Sequence, residues 1–324
     1  MYNQPEVALE QYELEVKKVI RGRGAYICQT NQGMKMLVPF KGSNERADTI
    51  RQVLIYIKEN GMAVEQINHT KEGQVISYDD AETKYLLKDY YKGSECNPHE
   101  LEDIYEAAVV LGKLHDITGK CQVVPPEFMV QSTNKLLDDC KKHNRELTKI
   151  KNFIRNRKQK NEFEMLFWNH YKHFLEHALI STECQDSMII CQKNIWCHGD
   201  YNYHNILIGE EGILPVNFEM ISMNMAISDL ANYMRKILEK NQWSLTVGNT
   251  ILEGYTKHCK LTDDEIRHLG YILLYPEKFW KIANHYYNGH KAWVSERDIE
   301  KLSKVIEQEN ERVAFLQNMF SFTI

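Results

Sequence analysis

The chain lacks any excess of basic charge: 40 lysines and arginines stand against 45 aspartates and glutamates, for a formal net charge of −5. A protein that holds nucleic acid through its phosphates carries a basic face, so this balance argues against that class of partner. The basic run "KNFIRNRKQKNE" reads as a solvated helix face. No run of about 18 apolar residues occurs, so no membrane span is expected. The opening "MYNQPEVALEQYELEV" has no apolar segment behind a basic start and does not read as a signal peptide. Cysteine is sparse, eight in 324 residues, and no two form a C-x-x-C pair. That argues against a disulfide-stapled scaffold, and the thiols are expected to be reduced ones in a protein made in the cytoplasm. Cys191 and Cys197 stand near His198, but their spacing matches no usual zinc finger, and they are read as core thiols beside a strand. Repeats and low-complexity tracts are absent as well.

What is present is the balance of a folded domain, 43% hydrophobic and 26% charged, in a chain long enough for two lobes with real cores. The first 92 residues carry strand signals around one helix. "EVKKVIRGRGAYICQTNQGMKMLVPF" holds apolar and β-branched runs with a hairpin turn at Thr30–Gly33, and Pro39 should end the strand through Val38. Residues 44–60 switch to helical spacing, with Ile50, Val53, Leu54 and Ile57 on one face and Gly61 as the stop. Strand returns in "QVISYDDAETKYLLKDYYKG", turning at Asp79–Asp80. "YYKGSEC" marks the crossing to a second, mainly helical part, residues 93–324. Asn97-Pro98 opens a helix that buries Leu101, Ile104, Ala108, Leu111 and Leu114 and ends near His115, read as a hydrogen-bonded core histidine. A Pro-Pro loop and long charged helices fill 120–190, and further helices are expected over 228–241, 246–258, 263–284 and 295–318. The aromatics of "YPEKFWKIANHYY" read as core packing.

One stretch carries chemistry: "IWCHGDYNYHNILIGEEGILPVNFE", residues 195–219. Phosphoryl transfer needs a carboxylate at the attacking hydroxyl, hard oxygen ligands for Mg²⁺ and a cation on the nucleotide phosphates. Asp200 in its polar loop can serve as the base, and Asn205 can offer an oxygen to a metal. Asn217 and Glu219 lie two apart, and on an extended segment they would face the same side. A neutral Asn217 oxygen holds Mg²⁺ more weakly than a carboxylate would.

"HGDYNYHNILI" with "ILPVNFE" resembles the catalytic motif of the aminoglycoside phosphotransferase and choline kinase group, and "SDLANYMRK", "LGKLHDIT" and "KDYYKGSECN" resemble its supporting segments. Over nearly the whole chain, "VIRGRGAYICQTNQGMKMLVPFKGSNERADTI" and "YPEKFWKIANHYYNGHKAWVSERDIEKLSKVIEQENERVAFL" are similar to spore coat proteins of the CotS type. The resemblance implies a two-lobed, protein-kinase-like α+β fold and residence in the developing spore or its coat. It assigns Asp200 the catalytic position, Asn205 the first metal ligand and Asn217 the place where the main metal ligand is normally aspartate. His198 and Asp229 would support the loop. Val38 falls where the nucleotide-clamping lysine is expected. Lys35 should face away, Lys41 lies beyond Pro39, Glu45 is a loose match for the lysine's acidic partner, and Gly22 and Gly24 match the phosphate-covering turn. With Val38 and Asn217 both altered, the leading expectation is a kinase-like coat protein, catalytically impaired or inactive, that acts through other spore or coat proteins. The alternatives are an ATP- and Mg-dependent phosphotransferase for a small hydroxyl or amine acceptor, with Glu219 helping to hold Mg²⁺, and a nucleotide or metabolite sensor.

Overall fold

A computed structural model describes residues 5–22, 24–132, 134–188, 194–210, 212–289 and 296–322. In chain order the first elements are α1 (Pro5–Glu10), β1 (Val16–Arg21), β2 (Tyr26–Thr30), β3 (Gly33–Pro39), α2 (Asn44–Glu59), β4 (Ser77–Tyr78), β5 (Lys84–Asp89), β6 (Ser94–Glu95) and α3 (Leu101–Thr118). Helices α4 (Lys135–Asn156) and α5 (Glu162–Ser187) precede β7 (Asn194–Cys197), β8 (Ile206–Gly209), β9 (Gly212–Pro215) and β10 (Ser222–Met225). Helices α6 (Ala226–Leu238), α7 (Leu245–Thr256), α8 (Asp263–Leu274), α9 (Glu277–Asn288), α10 (Glu296–Glu307) and α11 (Glu309–Phe320) complete the chain. The contacts divide it into two compact units. One comprises Met1–Gln131, Lys193–Tyr233 and Glu253–Cys259, and the other Ser132–Gln192, Met234–Leu252 and Lys260–Ile324.

The first unit holds an antiparallel sheet in the order β1-β2-β3-β5-β4. Strand period fixes its two faces. Cys28, Leu37, Tyr85 and Leu87 pack on one side with Ala8, Leu9 and Tyr12. The register sets Ile27 opposite Met36, Met36 opposite Lys88 and Val38 opposite Leu86, so these residues share the other side. Helix α2 follows the sequence reading closely. Ser43 caps it by accepting from the Arg46 N–H, Ile50, Val53, Leu54 and Ile57 are buried, and Gly61 at φ +79° ends it. Two small sheets, β6-β8-β9 and β10-β7, carry the loops that hold the motif residues.

The second unit is helical. Phe163, Phe167 and Phe174 of α5 form its core with Leu147, Ile150 and Ile154 of α4, Phe279 of α9 and Leu302 of α10. Phe279 stacks on Phe167 and Phe174 with ring centroids 5.2 and 4.1 Å away, so Phe279 is core as expected, while Tyr287 of the same segment is 40% exposed. The single helices expected over 263–284 and 295–318 are each two. Pro276 lacks the N–H and the room to continue α8, so α9 starts anew behind it. Gln308 separates α10 from α11, and its side chain bonds the Glu239 carbonyl oxygen at 3.4 Å.

Candidate active site

The loop between β7 and β8 is shaped from behind by Asp229 in the first turn of α6. Its carboxylate accepts the His198 N–H at 2.7 Å and the Gly199 N–H at 2.9 Å. His115 of α3 stands 3.3 Å from the same carboxylate and 2.8 Å from the Tyr255 hydroxyl. Helices α3 and α7 reach this contact through glycines. A Cβ on Gly112 would lie 2.3 Å from the Tyr255 carbonyl oxygen, and one on Gly254 2.6 Å from that of Tyr105. Burial works against ionising Asp229, but His115, His198 and the Gly199 N–H outweigh it and hold its pKa below the ordinary carboxylate value.

His198 is fixed as well. Its Nε2 lies 3.0 Å from the Val216 carbonyl oxygen, and its Nδ1 accepts the Asp200 N–H at 3.2 Å. A carbonyl accepts and an amide donates, so the proton sits on Nε2. Gly199 turns the loop at φ +82°, where a Cβ would sit 2.2 Å from the Met220 carbonyl oxygen. Cys197 is buried with its Sγ 3.4 Å from the Asn224 carbonyl oxygen, and burial pushes its thiol well up in pKa, as suits a core thiol. Cys191 lies outside the described residues.

Asp200, Asn205 and Asn217 form one polar chain. Asn202 donates to Asp200 Oδ1 at 3.0 Å, Asn205 donates to Asp200 Oδ2 at 3.0 Å, and Asn217 donates to Asn205 Oδ1 at 2.9 Å. The extended run expected through Asn217 and Glu219 is absent. Strand β9 ends at Pro215, Asn217 is left-handed at φ +67°, and Phe218–Met220 make one 3-10 turn. Asparagine tolerates that conformation. Glu65 stabilises the turn, since its two carboxylate oxygens accept the Asn217 and Phe218 N–H groups at 2.9 Å each. The Asn217 and Glu219 side chains therefore go to different partners.

Glu219 pairs with Lys88, an ammonium that the sequence reading did not single out. Lys88 lies on β5, two residues from the rung opposite Val38, and its Nζ also donates to both oxygens of Glu65 at 3.1 Å. Burial opposes its charge, yet the Glu65 and Glu219 carboxylates outweigh that and raise its pKa above the ordinary amine value. Only the register between β3 and β5 would have pointed to Lys88, and register is set by long-range pairing. Lys35 faces the other side of the sheet, 2.6 Å from Asp89 and 3.2 Å from Asn68. Lys41 is exposed after Pro39, and Glu45 is exposed in the first turn of α2. Arg46, one residue on, donates to the carbonyl oxygens of Glu219 and Ile221 at 2.7 and 3.2 Å. Gly22 spends its N–H on the Ala25 carbonyl oxygen at 2.8 Å, and Gly24 sits at φ +77° in the same turn.

A cavity of about 570 Å³ adjoins the motif hairpin, lined by Tyr90, Tyr91 and Gly93 on one side and Leu207 and Leu214 on the other. Among the described residues, two groups place metal-ligating atoms within 4.8 Å of one another: His115, Cys197 and Asp229 in the first unit, and His173, His177 and Glu309 in the second. The first is sealed in the core with a high-pKa thiol. In the second, Arg312 already takes the cation's place, 2.8 Å from Glu309 and 3.0 Å from His177 Nδ1.

Solved structures share this fold. An aminoglycoside phosphotransferase from Alicyclobacillus acidocaldarius subsp. acidocaldarius DSM 446 is similar at 16% identity and a TM-score of 0.87, over 98% of this chain and 96% of that one. The amicoumacin kinase hAmiN, solved with AMP-PNP, Ca²⁺ and its antibiotic, gives 13% identity and a TM-score of 0.65, over 97% and 94%. A spectinomycin phosphotransferase solved with ADP and spectinomycin gives 14% and 0.66, over 98% and 99%. These likenesses establish the protein-kinase-like α+β fold anticipated from the motifs. No curated protein sequence matches the chain. The family described as "Spore coat putative kinase YutH" matches residues 6–319, nearly the full length, and the chain belongs to that spore-coat kinase-like family.

Proposed function

We propose that this protein is a nucleotide- and Mg²⁺-dependent phosphotransferase of the spore, acting on a hydroxyl or amine of a small molecule. The observation that carries the reading is the Asp200–Asn205–Asn217 chain, which flanks the β8–β9 hairpin whose Leu207 and Leu214 line the cavity. The cavity is of a size that holds small ligands, and its tyrosine and leucine walls suit a nucleobase. Asp200 would orient the acceptor and take its proton, with its carboxylate aimed by the Asn202 and Asn205 amides.

The donor set is one of hard oxygens, as Mg²⁺ requires: the Asn205 and Asn217 amides and the half-buried Glu219 carboxylate. These residues would hold the ion, which when bound neutralises charge on the transferring phosphate. Asn217 brings no charge of its own, so Glu219 would carry the anionic share. Asp229 and His198 keep the loop in shape without touching substrate.

A second reading rests on one specific contact. The Asn217 amide donates to the Asn205 oxygen, so the two metal-ligand candidates satisfy each other. That arrangement also fits an impaired kinase-like coat protein that works by binding other coat components.

The test is ADP formation from Mg·ATP with a panel of amino alcohols and sugars, alongside nucleotide titration. Wild-type protein should form ADP in a metal- and acceptor-dependent way. Asp200→Ala should cut turnover by about 100-fold while nucleotide affinity stays within about twofold. No nucleotide binding at millimolar concentration would overturn the enzyme reading in favour of the coat-scaffold one.

A further inference from the structure

Three carboxylate and amine groups at the back of the site are unequal in their commitments. Glu65 is 1% exposed and saturated: it accepts two bonds from Lys88 Nζ at 3.1 Å and the backbone N–H groups of Asn217 and Phe218 at 2.9 Å. Lys88 is also 1% exposed. Glu219 differs. Its side chain is 26% exposed, whereas that of Lys88, with which it pairs, is 1% exposed. Its backbone is pinned independently, since Arg46 Nε and a terminal nitrogen bond its carbonyl oxygen at 3.2 and 2.7 Å. The carboxylate is therefore free to rotate away while its turn stays in place.

We infer that Lys88 is the cation that holds a nucleotide phosphate in this protein, that Glu65 fixes its amine, and that Glu219 is a stand-in anion which the phosphate displaces. The inference rests on the phosphotransferase reading and deepens it. Position supports it first. Lys88 projects from the same sheet face as Val38, from the neighbouring strand, into the group that holds Asn217. Charge supports it next. Two carboxylates flank one ammonium, so when a phosphate oxygen replaces Glu219, Lys88 keeps its full pairing and no buried charge is stranded. Glu219 is then released toward the Asn205 and Asn217 amides, where a metal ligand of negative charge is missing. One displacement would thus load both ends of the site.

The experiment titrates ATP and adenosine into the full chain, with Mg²⁺ and separately with EDTA. Lys88→Met should weaken ATP binding by about tenfold or more, the size of one charge-assisted hydrogen bond, and leave adenosine binding unchanged. Lys35→Met, on the opposite sheet face, should change neither. Glu219→Gln gives a readout that a merely structural role would not produce. Removing the competing carboxylate should tighten ATP binding in EDTA and weaken it in Mg²⁺. Because Lys88→Met strands Glu65, the paired variant Lys88→Met/Glu65→Gln removes both charges together and serves if the single variant fails to fold. ATP binding that is unaltered in both Lys88 variants overturns the assignment of Lys88 while leaving the phosphotransferase reading standing. Wild-type protein that binds adenosine and ATP equally overturns it too, and wild-type protein that binds neither overturns both.

Discussion

Glu309→Gln should weaken a junction in the helical unit and remove the part of its pH dependence that comes from the Glu309 carboxylate. Glu309 opens α11 and grips Arg312 through both oxygens, at 2.8 Å each. His177 Nδ1 and His173 Nε2 stand 3.0 and 3.1 Å from the same carboxylate, and Arg312 also donates to the Leu273 and Leu274 carbonyl oxygens. Burial raises the Glu309 pKa, but Arg312 and His177 overcome it and bring the group from 4.5 down to about 2. A depressed carboxylate pKa contributes stability that is complete above the unfolded value and is lost as pH falls toward the folded one. The drop corresponds to about 3 kcal/mol at neutral pH. The usual cost of breaking a buried pair by removing one partner, about 3–5 kcal/mol, is a second estimate of the same loss and agrees with it. Urea unfolding of wild type and variant should therefore differ by about 3 kcal/mol at pH 7, narrowing to about 2 kcal/mol at pH 3.5. A difference that stays flat from pH 7 to 3.5, or a variant as stable as wild type at pH 7, would refute the reasoning.

Three further outcomes are expected. Asn217→Asp keeps a residue that tolerates φ +67° and adds a carboxylate beside Asn205; Mg²⁺-dependent ATP binding should tighten about tenfold by calorimetry, and an unchanged metal dependence would remove Asn217 from the metal site. Gly199→Ala places a Cβ 2.2 Å from the Met220 carbonyl oxygen at φ +82°; it should cost about 2 kcal/mol or more in chemical denaturation and disorder the motif loop, whereas a neutral result would show that the loop is not held as described. Asn161→Ala removes a capping box in which Asn161 accepts the Glu164 N–H at 2.9 Å and Glu164 accepts that of Asn161 at 3.0 Å, together with the 2.7 Å bond to the Tyr286 hydroxyl; a loss of about 1–2 kcal/mol in thermal melts is expected, and none would show that the cap is not needed.

The sequence by itself determined what local chemistry dictates. Helical spacing placed α2 and its buried Ile50, Val53, Leu54 and Ile57, because a 3.6-residue period leaves one apolar face wherever it occurs. The His-Gly-Asp loop, Asn205 and Asp229 were legible because they lie within one short stretch and its following helix. Breaks were less so: nothing between Glu265 and Asn284 besides Pro276 marks the split of α8 from α9, and Gln308 carries no stop signal at all. The strand expected through Asn217 failed for a longer-range reason. Glu65, some 150 positions upstream in the chain, captures the two N–H groups that an extended strand would have needed. Lys88 was hidden in the same way. Its neighbours in sequence say only that it follows two leucines on a strand; Glu65 reaches it because residues 66–68 pair with β5, and Glu219 because of the turn after β9. Local pattern fixes which residues form a helix, a strand or a loop. Which charge stands beside which depends on strand pairing across the chain, and there tertiary structure set Lys88 between Glu65 and Glu219.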